Sequence, residues 1–140
     1  MMTGTGTEWR AQFPGVPASA GHARSFVAGT LAAAGRSEVT DTAVLLVSEL
    51  VSNAILHAGT DLELVVRVLP NRLGVEVHDF GGGQATRRWY SNMSGTGRGL
   101  MLVDELAGDW GTVLTDGGKF VWFEIHLGPV TSDEWQASAG

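Results

Sequence analysis

The chain of 140 residues contains no cysteine, and this absence removes several kinds of chemistry. Without thiols there is no disulfide framework, no catalytic thiolate and no zinc site built on cysteine. Basic residues are also few, because nine lysines and arginines stand against fifteen aspartates and glutamates, a formal net charge of −6. Since binding to nucleic-acid phosphates needs a basic face, we expect no direct contact with nucleic acid.

Long hydrophobic runs are missing as well. No stretch approaches the ~18 uninterrupted apolar residues of a membrane helix, and the Gly/Thr-rich N-terminus lacks the basic-then-apolar layout of a signal peptide. We therefore expect a cytoplasmic location and no membrane partner. The 44% of apolar residues suffices for one hydrophobic core. We predict one domain over residues 8–128, with flexible tails at 1–7 and 129–140.

The spacing of apolar residues predicts the secondary structure. Helical periodicity covers residues 18–34, a segment from Ser37 or Thr40 to Ala58, and a third segment from Arg98 to Leu106. Alternation in steps of two predicts strands at 8–13, 62–68, 72–79, 110–115 and 119–127. This order predicts an α/β (α+β) two-layer sandwich, in which a mixed, mostly antiparallel sheet lies under about three helices.

The second helix carries a polar stripe. It is apolar nearly all round, which predicts that it is largely buried, yet Glu49, Asn53 and His57 recur at i, i+4 and i+8. The stripe either lies on a solvent-facing surface or faces a wet cleft, a metal or a ligand, since a buried carboxylate without a partner is costly. A carboxylate one turn from an amide suits phosphoryl transfer, because the amide oxygen can ligate magnesium and the carboxylate can accept a hydroxyl proton.

Asp79 ends a strand at an unusual place. By parity it lies on the apolar face with Val75 and Val77, and Gly81 to Gly83 follow. Such an acid can accept a hydrogen bond from an exocyclic amine such as that of adenine, and glycines let the backbone approach a flat base. The alternative is a strand that simply ends in an Asp-Gly turn.

A second glycine-rich segment, Gly95 to Leu100, precedes the third helix. Glycines at a helix N-terminus expose N–H groups and the positive end of the helix dipole to phosphate. Arg98 either adds a charged contact to phosphate or begins the helix in solvent. An ordinary flexible loop is the alternative.

In combination, these features resemble the N, G1 and G2 boxes of the GHKL ATPases and, within them, the short anti-sigma-factor serine/threonine kinases. The resemblance spans roughly Trp9 to Leu127. It rests on Phe13-Pro14-Gly15-Val16-Pro17 with Ala23-Arg24, Ser48-Glu49-Leu50-Val51-Ser52-Asn53-Ala54-Ile55-Leu56-His57-Ala58, Asp79-Phe80-Gly81-Gly82-Gly83, Gly97-Arg98-Gly99-Leu100-Met101-Leu102-Val103 and Gly118-Lys119-Phe120-Val121-Trp122.

The resemblance implies a Bergerat-type ATP-binding fold, with ATP and Mg²⁺ as cofactors. Glu49 matches the general base, Asn53 the magnesium ligand and Asp79 the acid that binds the adenine amino group. The residues matching the remaining nucleotide contacts are Gly81, Gly83, Gly97, Arg98, Gly99 and Leu100. His57 is interpreted as structural. The implied activity is phosphorylation of a Ser or Thr on a STAS-type anti-anti-sigma protein, with a sigma factor as second partner and a possible homodimer.

The chain departs from the family pattern in the late strand. Where related proteins often have a small hydroxyl residue near adenine, this sequence has Lys119 and Phe120, and Thr115 on the preceding strand is a possible substitute. The predicted lid, from about Gln84 to Thr96, contains Arg87-Arg88-Trp89-Tyr90, which either packs over the nucleotide or forms a partner surface. The alternative function is therefore a GHKL-fold module that sequesters a partner without phosphoryl transfer.

Overall fold

The computed structural model describes residues 6–81, 103 and 105–128. The two complete helices are α1 (Ser19–Ala33) and α2 (Thr40–His57), with a 3-10 turn at Ser37–Val39 before α2. The strands are β1 (Thr7–Phe13), β2 (Leu62–Leu69), β3 (Arg72–Asp79), β4 (Asp109–Thr115) and β5 (Gly118–His126). All five predicted strands are confirmed, and their bounds agree with the predicted ones to within a residue or so.

The strands form one sheet in the order β1-β2-β3-β5-β4. The prediction allowed a mixed sheet, but all four described pairings are antiparallel. Short connections account for two of these pairings, because β2 and β3 are joined at Pro70-Asn71 and β4 and β5 at Asp116-Gly117. Antiparallel neighbours need only such hairpins, whereas a parallel pair needs a long crossover.

Both helices end at the glycines that the sequence indicated. The backbone φ is +72° at Gly35 and +67° at Gly59, a left-handed conformation that costs glycine little. Arg36, which follows Gly35 at the end of α1, is buried and donates to the carbonyl oxygens of Pro70 and Gly128, at 3.0 Å and 3.1 Å. This side chain ties the end of α1 to the turn between β2 and β3.

The hydrophobic core lies between the helices and one face of the sheet. The helices contribute Ala23, Val27, Leu31, Ala43, Leu46, Val47, Leu50, Val51 and Ala54, and the strands Leu62, Leu64, Val66, Leu73, Val75, Val77, Val121, Phe123 and Ile125. Val103, in the described part of a further helical segment, is also buried in this core. The predicted two-layer α+β architecture is confirmed.

The prediction that α2 is largely buried is wrong. Its buried residues lie on the side that packs into the core, while Leu45 and Leu56 are exposed by 41% and 75%. A helix in a layer on one face of the sheet has an outer side that neither the sheet nor α1 covers. By length and composition alone, Ser37–His57 could also cross a membrane, but a core helix of a layered domain has the same composition.

Candidate functional site

Asp79, the last residue of β3, lies on the core face of the sheet as its parity predicted. Burial alternates along the strand, with Leu73, Val75, Val77 and Asp79 inside. The register of the sheet places Asp79 opposite Leu62 of β2 and Lys119 of β5. The carboxylate is therefore fixed at the end of a central strand.

The carboxylate of Asp79 forms a buried ion pair with Lys119. The Nζ of Lys119 donates to Asp79 Oδ2, and each side chain is only 1% exposed. The other carboxylate oxygen, Oδ1, accepts the backbone N–H of Gly81 at 3.1 Å. Burial lowers the pKa of Lys119, and the hydrogen bond and charge of Asp79 offset part of that shift.

Sequence reasoning recognised Lys119 as a departure but missed its partnership with Asp79. The signal was available in the alternation of β5. Lys119 shares parity with Val121 and Phe123, which predicts the core face, and a lysine in a core requires a counter-ion. Asp79 is the acid across the strand pair that meets this requirement.

The end of β3 lies against the end of α2. A Cβ built on Gly81 would lie 3.3 Å from the Cβ of Ala58 and 3.5 Å from Cγ2 of Thr60. The hydroxyl of Thr60 accepts the backbone N–H of Phe80 at 3.0 Å. The residues that follow Asp79 therefore pack against the C-terminal end of α2.

The predicted stripe on α2 is half-buried along its length. Glu49, Asn53 and His57 all have intermediate exposure, which agrees with a stripe at the margin of the core and disagrees with a fully solvated face. Asn53 makes a polar interaction, whereas no hydrogen bond or ion pair joins Glu49 to the part of the chain that the structure describes.

The glycine-rich part of the predicted site lies outside the described residues. This applies to Gly83, Gly97, Arg98, Gly99 and Leu100, and equally to the segment from Gln84 to Thr96. Their assignment as nucleotide contacts stays a prediction.

The donor set constrains how a magnesium ion could be held. Across residues 6–81, 103 and 105–128, no group of three or more His, Cys, Asp and Glu side chains is placed to bind a metal. Magnesium commonly keeps several waters and binds through one or two protein oxygens together with substrate phosphates. The amide oxygen of Asn53 fits that role.

The face of the sheet opposite the helices, here called the open face, carries a network of charged side chains. Arg67 donates to Glu8 at 2.8 Å and to Glu76 at 2.5 Å, and Nε2 of His78 lies 2.7 Å from Glu76. A cavity of about 410 Å³ on this face is lined in part by Arg67 and Trp122. It is separated by the sheet from Asp79 and does not belong to the candidate site.

The pKa values of this charged network follow from its hydrogen bonds. The hydrogen bond from Arg10, and next that from Arg67, lower the pKa of Glu8. Burial raises the pKa of Glu76, but hydrogen bonds from His78 and Arg67 outweigh it, and the net pKa is lowered. Both carboxylates are stabilised in their ionised form.

A comparison with protein families agrees with this geometry. A family model described as a histidine kinase-like ATPase domain matches residues 13–125, which include α1, α2, Asp79, Lys119 and the glycine-rich segments. Among curated proteins, none matches the chain significantly.

Proposed function

The chain belongs to the family of histidine kinase-like ATPase domains, and from this premise we propose that it is an ATP-dependent serine/threonine protein kinase. Family membership implies ATP binding. The proposed acceptor is a Ser or Thr of a STAS-type anti-anti-sigma protein, through which the chain would regulate a sigma factor in the cytoplasm. The observation that carries the kinase assignment is the half-buried pair of Glu49 and Asn53, one turn apart on α2.

Glu49 is the proposed general base. It is half-buried and has no pairing partner among the described residues, so its carboxylate can accept the proton of a bound hydroxyl. A base positioned in this way contributes about 10²–10⁴-fold to a rate. The rigid helix fixes its separation from Asn53, with a rise of about 6 Å over four residues.

Asn53 is the proposed protein ligand of magnesium. Bound magnesium would neutralise charge on the phosphate oxygens during transfer. The chain contributes an uncharged amide oxygen and a fixed position beside Glu49, so that acceptor and phosphate meet in a defined orientation. The amides of Gly97 and Gly99 are proposed as further phosphate contacts, by their match to the family motif.

A partner-binding module without phosphoryl transfer is the second candidate. The ion pair between Asp79 and Lys119 favours it, because the acid expected to bind adenine already has a cation on one oxygen. In that case the fold would sequester a sigma factor or its antagonist, and Glu49 would have no catalytic role.

Transfer of radiolabel from ATP distinguishes the two candidates. Purified STAS-type proteins are incubated with magnesium, γ-labelled ATP and either the wild-type chain, Glu49→Gln or the control Glu105→Gln. Glu105 is an exposed helical residue, so the control makes the same chemical change away from α2. The kinase predicts labelling by wild type and control, and a loss of about 10²-fold or more in Glu49→Gln.

Two outcomes of this assay would contradict the kinase assignment. Equal labelling by Glu49→Gln and wild type would remove Glu49 from the mechanism. A wild-type chain that binds ATP and a partner, yet transfers no label to any candidate, would be the binding module instead.

A further inference from the structure

Asp79 is already engaged on both of its carboxylate oxygens. Lys119 donates to Oδ2 and the backbone N–H of Gly81 to Oδ1. Both charged side chains are 1% exposed, so the pair is buried. A base that is to reach this acid must first change the arrangement.

The chain places the lysine there by strand register. Lys119 lies directly across from Asp79 in the pairing of β3 with β5, and its parity directs it into the core beside Val121. Within such a core each charge would be costly alone, and each is tolerated because the other is present. The lysine therefore acts as the counter-ion of Asp79 when no ligand is bound.

An exocyclic amine of a base would use the same acceptor. An amine N–H and an ammonium N–H both donate to carboxylate oxygens, and Lys119 has a flexible four-carbon stem that can leave the site. The two donors are therefore alternatives at Oδ2.

We propose that Lys119 is an internal competitor for the nucleotide base, which holds Asp79 in the ligand-free protein and is displaced by the exocyclic amine. The inference rests on the ATP site of the proposed function. It makes Lys119 the residue that sets nucleotide affinity. When only a fraction of the protein is competent to bind, the apparent dissociation constant rises by the inverse of that fraction, so the closed pair weakens ATP binding in proportion to its stability.

The test compares Lys119→Met with a matched loss of charge elsewhere. Methionine keeps an unbranched apolar stem and removes the ammonium. Arg72→Met removes one positive charge from an exposed side chain that pairs with Glu124 on the open face of the sheet. The control therefore reports the long-range effect of charge on binding of an anionic nucleotide. Dissociation constants are measured by calorimetry in one buffer at one pH for all variants.

Two nucleotides separate competition from simple obstruction. ATP carries the 6-amino group, and purine riboside triphosphate lacks it. We expect Lys119→Met to bind ATP at least tenfold more tightly than wild type, with little gain for the analogue and no gain for either ligand in Arg72→Met. Equal gains for both nucleotides would mean that Lys119 only obstructs the pocket, and would overturn the proposal. Unchanged or weaker ATP binding in Lys119→Met would overturn it as well.

A second variant guards against loss of folding in Lys119→Met. Lys119→Gln removes the charge and keeps a shorter, neutral donor for Asp79, so we expect a smaller gain in ATP affinity with the same preference over the analogue. No gain in this folded variant would contradict the proposal.

The labelling and binding experiments together show which of the two proposals is wrong, the competitor role of Lys119 or the kinase activity. A wild-type chain that labels its partner, with no gain in the lysine variants, overturns the competitor alone. Gains in the lysine variants without any label transfer overturn the kinase alone. The absence of ATP binding in every variant would overturn both.

Discussion

Gly118, at the start of β5, packs directly on the backbone of Asp79 at the end of β3. A Cβ at this position would collide with the carbonyl oxygen of Asp79 and lie 2.8 Å from the Cα of Phe80. The two strands can therefore close around the candidate site only because this residue has no side chain.

Gly118→Ala should consequently destabilise the protein and disturb the position of Asp79. Overpacking of this kind typically costs about 1–3 kcal/mol. The neighbouring Gly117 offers the control, because a Cβ there has no heavy atom within 4 Å and Gly117→Ala should stay within about 0.5 kcal/mol of wild type. Urea unfolding measures both. Similar free energies of unfolding for the two variants would show that β5 can move away without cost.

Arg36 should contribute to stability far more than an exposed arginine. Its side chain is 9% exposed and donates to two backbone carbonyls and to Glu38. Arg36→Ala leaves those carbonyls without their donor, at a cost of about 1–3 kcal/mol. Arg72→Ala removes a solvent-exposed pair with Glu124, worth about 0–1 kcal/mol. Equal losses in chemical unfolding would contradict the anchoring role of Arg36.

Removing only one charge of the pair formed by Asp79 and Lys119 should lower the free energy of unfolding more than removing both charges. Asp79→Asn leaves the ammonium of Lys119 buried without a counter-ion, which typically costs about 3–5 kcal/mol. The double variant Asp79→Asn/Lys119→Met removes that charge and should recover most of the loss. Free energies of unfolding for the two single variants, the double variant and wild type give the coupling directly. Additive losses would mean that the pair contributes no coupling.

The charged network on the open face should make the protein sensitive to acid. The folded-state pKa values of Glu8 and Glu76 lie below the reference of 4.5. Such groups contribute stability that is fully present above the unfolded pKa and is lost as pH falls through the folded one. We therefore expect the free energy of unfolding to fall below about pH 4.5. Glu76→Gln should flatten this dependence, and Glu105→Gln should leave it unchanged. A steep acid profile retained in Glu76→Gln would assign the sensitivity to other groups.

Much of the fold could be predicted because each element has a strong periodic signal. The alternation Leu73, Val75, Val77, Asp79 fixed both the strand and the inward direction of the acid, and Gly35 and Gly59 fixed the helix ends through their left-handed backbone. These are local properties of the chain, and local properties can be derived from sequence.

The rest depended on contacts between distant segments. Lys119 became the partner of Asp79 only through the pairing of β3 with β5, a relationship across 40 positions. The extent to which α2 is buried depended in the same way on which face of the sheet is covered. The apolar sequence of α2 indicates that it packs, but the number of neighbours it packs against is a property of the whole fold.

Titration of the chain with ATP and magnesium is the most direct test, because the kinase activity and the role of Lys119 both presuppose a nucleotide site at the end of β3. We expect saturable binding at one site per chain. We expect binding weaker by about 1–3 kcal/mol in Asp79→Asn, the scale of a hydrogen bond to a charged group. Saturable binding that is identical in wild type and Asp79→Asn would place the nucleotide elsewhere, and no binding in either protein would contradict the ATP site itself.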